Sequence, residues 1–190
     1  MEVGCLILAG GKSSRLKNKP FLNLKDKPMI KHVFDNLNKI FQEIVIVVKT
    51  QNEKKKIEKI IKNCKVVVDK NKIFSPIAGI VEGLKFMEKD FVFVTACDMP
   101  FVKEKTVKEL LLRVEKNAKC VCYAYSFEKF EPLCAIYRKD FFQKARLEDS
   151  LSELIKKEKN KVLIPVVKET NEFLNINTEK DLEIARKLLS

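Results

Sequence analysis

Short apolar runs recur along the first two-thirds of this sequence, and segments with apolar residues at helical spacing separate them. The strongest run, Phe91–Cys97, is continuously apolar rather than alternating, as strands buried on both faces of a parallel sheet require. Strands that alternate with helices pair in parallel through right-handed crossovers. The pattern therefore predicts an α/β fold, a three-layer sandwich with a mostly parallel central sheet, in a single domain over residues 1–190.

The predicted elements follow one another closely along the chain. Apolar runs predict strands at Val3–Ala9, Ile44–Val48, Val66–Val68, Phe91–Cys97, Lys119–Tyr125, Pro132–Tyr137 and Val162–Val167. Helical spacing predicts helices at about Pro28–Ile40, Asn52–Ile61, Lys105–Glu115, Lys139–Ala145, Leu151–Lys157 and Glu179–Leu189, and one that begins at Pro76 with Ser75 as its N-cap. Thr178 is expected to cap the last helix, with Asp181 in the capping-box position.

Composition restricts the class of protein. With 46% hydrophobic and 34% charged residues, the chain can bury a core and still cover its surface with charge. No run approaches the roughly 20 apolar residues of a membrane span, and Val3–Ala9 follows no basic leader, so we expect a soluble cytoplasmic protein without membrane contacts. The cysteines lie mostly in strand-like runs, where a free thiol acts as a small hydrophobic group, and the spacing of Cys120 and Cys122 disfavours zinc.

The formal net charge of +12 would attract polyphosphates as well as nucleic acids. The lysines are mixed with glutamates along predicted helix faces, which is typical of solvated helices. No nucleic-acid-binding motif and no aromatic platform accompany them, so a nucleic-acid-binding module is a poorer interpretation than a phosphate-binding enzyme.

In open α/β sheets, ligands bind beyond the carboxyl ends of the strands, so residues that directly follow the apolar runs are the first candidates for a site. After the first run, Gly10 and Gly11 would let backbone N–H groups approach an anion, and Lys12, Arg15 and Lys19 supply positive charge. This loop is neither Gly-x-Gly-x-x-Gly nor a Walker A sequence. Glycines and lysines after a strand also build ordinary turns.

Two carboxylates also follow predicted strands. Asp98 comes directly after the most buried run, where it would meet phosphates only through a cation, and magnesium fits that need. Alone it could equally cap the following helix or form a turn before Pro100. Asp69 ends the Val66–Val68 strand, where it could accept hydrogen bonds from a base or a ribose, or serve as a turn residue.

Several motifs, taken in order, resemble the molybdenum cofactor guanylyltransferase family and span nearly the whole chain. They are Leu8-Ala9-Gly10-Gly11-x-x-x-Arg15, Lys19, Ser75-Pro76-Ile77-Ala78-Gly79-Ile80, Asp98-Met99-Pro100-Phe101 and Asn175-Ile176-Asn177-Thr178-x-x-Asp181-Leu182. The resemblance implies a Rossmann-like nucleotidyltransferase fold and transfer of GMP from GTP to the phosphate of molybdopterin cofactor, with release of pyrophosphate. It also implies transient contacts with other proteins of molybdenum cofactor biosynthesis.

The resemblance assigns roles to individual residues. Lys19 matches the family's phosphate-binding lysine, Asp98 its ligand for Mg²⁺, and Arg15 joins these two as a catalytic residue. The nucleotide would be contacted by Leu8, Ala9, Gly10, Lys19, Asp69 and Asp98. In-line phosphoryl chemistry depends mostly on positioning and charge neutralisation, which a lysine and a divalent cation together supply.

The loop before Lys19 departs from the family pattern. Relatives usually carry Arg-Met-Gly-x-Asp-Lys, whereas this chain has the shorter Arg15-Leu16-Lys17-Asn18-Lys19. Lys17 therefore stays open as an alternative to Lys19. We expect Lys19 to bind phosphate, because Pro20-Phe21-Leu22 resembles the segment that follows the family lysine.

The base and the acceptor are less sharply indicated. Gly10 favours guanine, because relatives that use pyrimidine nucleotides commonly carry Leu-Ala-Ala-Gly and a glycine leaves more room for a purine. The closest alternative is a related enzyme with another base or acceptor, either a molybdopterin cytidylyltransferase or a sugar-phosphate nucleotidyltransferase. Glu131, Asn175 and Asn177 are secondary candidates for the acceptor side, and each could serve a turn instead. The only histidine, His32, lies on a predicted helix without a Ser or Cys partner, so no catalytic triad is expected.

Overall fold

The computed structural model describes residues 1–11, 16–167 and 170–189. Its strands are β1 (Val3–Leu8), β2 (Asn23–Leu24), β3 (Lys27–Pro28), β4 (Ile44–Val48), β5 (Lys65–Val68), β6 (Phe91–Ala96), β7 (Cys120–Ala124), β8 (Phe130–Arg138) and β9 (Lys161–Pro165). Its α-helices are α1 (Met29–Leu37), α2 (Gln51–Ile60), α3 (Pro76–Leu84), α4 (Glu104–Leu112), α5 (Leu151–Lys157) and α6 (Glu179–Leu189). The predicted alternation of strands and helices is therefore confirmed through the first two-thirds of the chain.

Within the described residues, seven strands form one sheet in the order β5-β4-β1-β6-β8-β7-β9. β1 pairs in parallel with β4 and with β6, and β4 pairs in parallel with β5. β8 runs antiparallel to both β6 and β7, and β9 is parallel to β7. The expectation of a mostly parallel central sheet is confirmed, and β8 is the strand that reverses direction.

Helices cover both faces of this sheet. Along β1, the side chains of Cys5 and Ile7 join one buried cluster and that of Leu6 joins another, because successive side chains in a strand point to opposite faces. Helices α1, α2 and α4 contribute to the first cluster, and α3 and α5 to the second. This is the predicted three-layer sandwich, and burial of β6 on both faces explains why its sequence does not alternate.

A third, smaller cluster holds the C-terminal helix in place. Leu182 and Ala185 of α6 pack on Leu24 and Met29, at the β2–β3 hairpin and the start of α1. α6 begins as predicted, since the N–H of Thr178 donates to Asp181 Oδ2 at 2.8 Å and the N–H of Asp181 donates to Thr178 Oγ1 at 3.2 Å. This packing carries the segment before α6 to the carboxyl edge of the sheet.

One predicted helix is wrong. Lys139–Ala145 was expected to be α-helical, but the structure has a 3₁₀ turn at Lys139–Phe142. Phe141 and Phe142 are both buried against Tyr137, with ring centroids 5.0 Å and 5.2 Å from the tyrosine ring. Adjacent residues of an α-helix point in different directions, so two consecutive aromatic anchors on one partner favour the tighter turn.

Candidate functional site

A cavity of ≈ 280 Å³ lies at the carboxyl ends of β1, β4, β5 and β6. There, β4 and β5 lie on one side of β1 and β6 on the other, which is the switch point at which open α/β sheets bind ligands. Its lining includes Leu8, Ala9, Gly10, Lys19, Asp69, Asp98 and Asn177. The structure thus brings together the predicted site residues, except that Arg15, like Lys12, falls outside the described residues.

The turn after β1 forms one wall of the cavity. A Cβ atom on Gly10 would lie 2.8 Å from the backbone N of Lys49 and 2.9 Å from the backbone C of Val48, closer than Cβ atoms approach backbone. A Cβ atom on Gly11 would meet nothing within 4 Å. The missing side chain at Gly10 therefore lets the turn pack against the end of β4. Room for a purine, the reason given from the sequence, is not what this glycine provides in the structure.

Lys19 enters the cavity from a 3₁₀ turn, Lys19–Phe21. Asn18 precedes this turn with φ 56° and ψ 28°, a left-handed conformation that asparagine tolerates better than most residues. The ammonium of Lys19 donates to Asp98 Oδ2 at 2.7 Å and to Asn177 Oδ1 at 2.9 Å. Lys17 is exposed and does not line the cavity. Lys19 and not Lys17 therefore reaches the cavity, and phosphate binding by Lys19 stays a prediction.

Asp98 is held at the end of β6 by two neighbouring segments. The N–H of Cys97 donates to Leu8 O at 2.9 Å, and the carbonyl oxygen of Asp98 accepts from the N–H of Ile176 at 3.0 Å. The N-cap of α4 is Lys103, so the alternative that Asp98 caps this helix is wrong. Among the described residues, Asp98 Oδ1 is buried and has no hydrogen-bond partner. A buried carboxylate oxygen without a partner is costly, so this atom is suited to meet a cation or a donor from a ligand.

Asp69 forms the opposite wall, and the turn interpretation of it is confirmed. Its Oδ1 accepts from the N–H of Asn71 at 2.9 Å and from Asn71 Nδ2 at 2.7 Å, which is the Asx turn expected of a turn residue. Its Oδ2 accepts from the ammonium of Lys49 at 2.6 Å. A carboxylate has about four acceptor positions, and the bonds to Lys49 and Asn71 within the described part of the chain use three of them.

Lys49 bonds to Asp69 at the wall of the cavity, and the sequence interpretation did not single it out. It directly follows β4, which is the position that singled out Asp69 and Asp98 after their own strands. Applying the same rule to every strand of the sheet would have selected it. A lysine in a chain with 38 Lys and Arg residues carries no further signal.

The thiol of Cys97 also lines the cavity, between Ala96 and Asp98. Burial raises the pKa of this thiol far above its usual range, and the negative charge of Asp98 adds a smaller increase. The thiol therefore stays protonated at neutral pH, and it is not an activated nucleophile. The charged pair Lys19 and Asp98 remains the candidate for chemistry in the cavity.

The secondary candidates for the acceptor side differ in whether they line the cavity. Asn177 lines the cavity and binds Lys19, whereas Glu131 and Asn175 do not line it. Asn175 Nδ2 donates to Phe173 O at 3.1 Å, which agrees with the turn role. Glu131 is half-buried; burial raises the pKa of its carboxyl group, against the opposing effect of a hydrogen bond from Tyr125.

The remaining groups lie away from the cavity. His32 Nε2 is 2.7 Å from Leu24 O, a contact between α1 and the β2–β3 hairpin. Across residues 1–11, 16–167 and 170–189, no cluster of three or more His, Cys, Asp or Glu side chains is arranged to hold a metal ion. The same residues include no helix with the length and apolar character needed to cross a bilayer.

Comparison with known sequences gives the chain its relatives. The profile described as "MobA-like NTP transferase domain" matches residues 5–169. A protein of Natranaerobius thermophilus named "Probable molybdenum cofactor guanylyltransferase" is 32% identical over 99% of this chain and 97% of its own length. A Clostridium perfringens (strain 13) protein of the same name is 34% identical over 93% of this chain and 92% of its own.

Comparison of structures agrees on the fold. A cytidylyltransferase from Leptospira borgpetersenii superposes with a TM-score of 0.77 over 98% of this chain and 85% of its own, at 18% identity. At that identity the likeness shows a shared fold, and it does not indicate which base this protein binds.

Proposed function

Because this chain belongs to the molybdenum cofactor guanylyltransferase family of MobA-like NTP transferases, we propose that it transfers GMP from GTP to the phosphate of molybdopterin cofactor. The products are the molybdopterin guanine dinucleotide cofactor and pyrophosphate. The observation that carries the proposal is the contact of Lys19 with Asp98 and Asn177 beside the glycine turn at the switch point of the sheet.

Each wall of the cavity has a task in this reaction. Backbone N–H groups of the turn at Gly10 and Gly11, which line the cavity, would donate to the phosphates. Asp69 retains one acceptor position for a donor on the base or the ribose. Leu8 and Ala9 supply apolar and backbone contacts to the nucleotide.

The chemical step breaks one bond and forms another at the α-phosphorus of GTP. A phosphate oxygen of molybdopterin attacks this phosphorus, and the bond to the leaving pyrophosphate breaks. Lys19 carries the positive charge that neutralises the negative charge growing on the phosphates. Asn177 Oδ1 holds the Lys19 ammonium in place from the segment before α6.

Asp98 fits a divalent cation. Its Oδ1 is buried without a partner among the described residues, and a carboxylate oxygen is a ligand that Mg²⁺ prefers. Asp98 would be the protein ligand, because Mg²⁺ in such sites is commonly held by one or two carboxylates together with substrate phosphates. Bound there, Mg²⁺ would supply further charge neutralisation on the phosphates.

The choice of guanine over cytosine rests on the relatives named guanylyltransferases. A cytidylyltransferase of the same fold is the nearest competing function, and its likeness to this chain is one of architecture. The net charge of +12 suits two phosphate-bearing substrates.

The experiment is pyrophosphate release from GTP, measured with and without molybdopterin cofactor and with and without Mg²⁺. Release should need all three components. Asp98→Asn should remove most of the turnover while circular dichroism shows an unchanged fold, because an amide is a poorer ligand than a carboxylate for a hard cation.

Asp35→Asn is the matched control, because Asp35 pairs with Lys27 and Lys31 outside the cavity. Its turnover should equal that of the wild type. Near-normal turnover of Asp98→Asn would return Asp98 to the role of a turn residue and remove the metal assignment.

A further inference from the structure

Lys49 sits at the end of β4 with its side chain turned inward, and only 10% of that side chain is exposed. Its ammonium donates to three acceptors: Asp69 Oδ2 at 2.6 Å, Ile73 O at 2.7 Å and Asn71 O at 3.1 Å. It also lies 4.8 Å from the centre of the Phe74 ring, within the range of a cation–π contact. All four partners belong to one segment, residues 69–74.

This set of contacts uses every proton that Lys49 has. A lysine ammonium carries three N–H donors and no acceptor. Each donor of Lys49 has an oxygen of the 69–74 segment, and Lys49 is not part of the cavity lining. Lys49 therefore acts through that segment and not by touching a ligand.

The segment that Lys49 holds is a wall of the nucleotide cavity. Asp69 and Phe74 line it, and Ser75 continues the wall into α3. The carboxylate of Asp69 is 1% exposed, so it needs a compensating charge, and Lys49 provides it. The Phe74 side chain is half-exposed at the same wall.

The backbone of Lys49 is fixed independently of its side chain. Thr50 is the N-cap of α2, and Glu53 closes a capping box with it. Glu53 Oε2 also accepts from the N–H of Lys49 at 3.1 Å, and Gly10 packs against the backbone at the same point. Lys49 thus projects its ammonium from a rigid position at the sheet edge toward a segment that has no regular secondary structure.

We propose that Lys49 is a positioning residue that fastens residues 69–74 as a preformed wall for the base and ribose of the bound nucleotide. The proposal rests on the proposed function for the identity of the ligand. It assigns no part of the phosphate subsite to Lys49, because that subsite is built by Lys19, Asp98 and the glycine turn. Removal of Lys49 should therefore weaken recognition of the nucleoside and leave triphosphate recognition intact.

Calorimetric titration with GTP and with inorganic triphosphate, both with Mg²⁺, separates the two subsites. Lys49→Met should raise the Kd of GTP by at least about tenfold, equivalent to about 1.4 kcal/mol, while the Kd of triphosphate changes by less than about twofold. Lys85→Met is the matched control, since Lys85 pairs with Glu82 outside the cavity, and it should change neither value. Lys19→Met should weaken both ligands.

A second pair of variants removes the buried carboxylate of Asp69 from the comparison. Asp69→Asn alone leaves Lys49 its bonds to Asn71 O and Ile73 O, whereas Lys49→Met in the Asp69→Asn background removes them. The double variant should bind GTP at least about tenfold more weakly than Asp69→Asn. Equal GTP affinities of these two variants would overturn the proposal, as would an equal loss of GTP and triphosphate affinity in Lys49→Met.

Amide hydrogen exchange in the ligand-free protein reads the wall directly. The N–H of Asn71, bonded to Asp69 Oδ1, should exchange faster in Lys49→Met than in the wild type. Unchanged exchange over residues 70–74 would also overturn the proposal. Wild-type protein that binds triphosphate but not GTP would instead refute the proposed function, and the exchange result would still decide the role of Lys49.

Discussion

Replacing Gly10 by alanine should destabilise the folded protein, because the added methyl group has no room. It would lie 2.8 Å from the N of Lys49, 2.9 Å from the C of Val48 and 3.0 Å from Lys49 Cγ. Two of these atoms are backbone at the end of β4, a strand paired on both sides, so they cannot move away as a flexible side chain would. The turn after β1 must shift instead.

The size of the effect follows from the cost of overpacking. Inserting a methyl group into a packed site costs about 1–3 kcal/mol, and rigid partners favour the upper half of that range. For a chain of this length, about 2–3 kcal/mol lowers the melting temperature by about 4–12 °C. Gly11→Ala is the matched control, since its Cβ would meet nothing within 4 Å, and it should melt within about 2 °C of the wild type.

The assay is thermal unfolding without nucleotide, followed by titration with GTP and CTP at a temperature at which each variant is folded. Gly10→Ala should melt early and bind both nucleotides more weakly. The reasoning would be refuted if Gly10→Ala had the melting temperature of the wild type, bound GTP more weakly and bound CTP more tightly. That result would restore the sequence interpretation, in which Gly10 makes room for a purine.

Further expectations concern the phosphate subsite and the wall beside it. Lys19→Ala should slow turnover by about two to three orders of magnitude, as loss of one electrostatic group at a transition state typically does, and Lys17→Ala should behave as a surface change. A large loss in Lys17→Ala with little in Lys19→Ala would show that the loop is aligned wrongly. Ser75→Ala removes the oxygen that accepts from the N–H of Ala78 at 3.0 Å at the start of α3. Urea unfolding should show a loss of about 0.5–2 kcal/mol, and an unchanged midpoint would contradict the capping role.

The fold could be predicted where local pattern and tertiary environment agree. The α5 and α6 bounds expected from the sequence, Leu151–Lys157 and Glu179–Leu189, are those of the structure. Apolar spacing marks both helices, and Thr178 also caps α6. The β2–β3 hairpin escaped prediction, since its strands are two residues long and show no period. The hairpin turn places Lys25 at φ 54°, a conformation that lysine does not signal in sequence.

The candidate site, like the fold, could be predicted from the sequence only in part. That Gly10, Lys19, Asp69 and Asp98 meet in one cavity could be predicted, because they follow strands or match family motifs. The family membership inferred from those motifs is confirmed by the relatives. Lys49 donates to carbonyl oxygens that lie 22 and 24 residues further along the chain, and no local sequence pattern predicts such contacts. These contacts form because of the path that the segment after β5 takes.

A competition between GTP and CTP decides which nucleotide this protein transfers. The purified protein is incubated with molybdopterin cofactor, Mg²⁺ and equal concentrations of GTP and CTP. The dinucleotide products are then separated, and mass spectrometry identifies and quantifies them. We expect the guanine dinucleotide to dominate and pyrophosphate to appear in an amount equal to the dinucleotide formed. A product that is mainly the cytosine dinucleotide, or equal amounts of the two, would contradict the guanylyltransferase assignment.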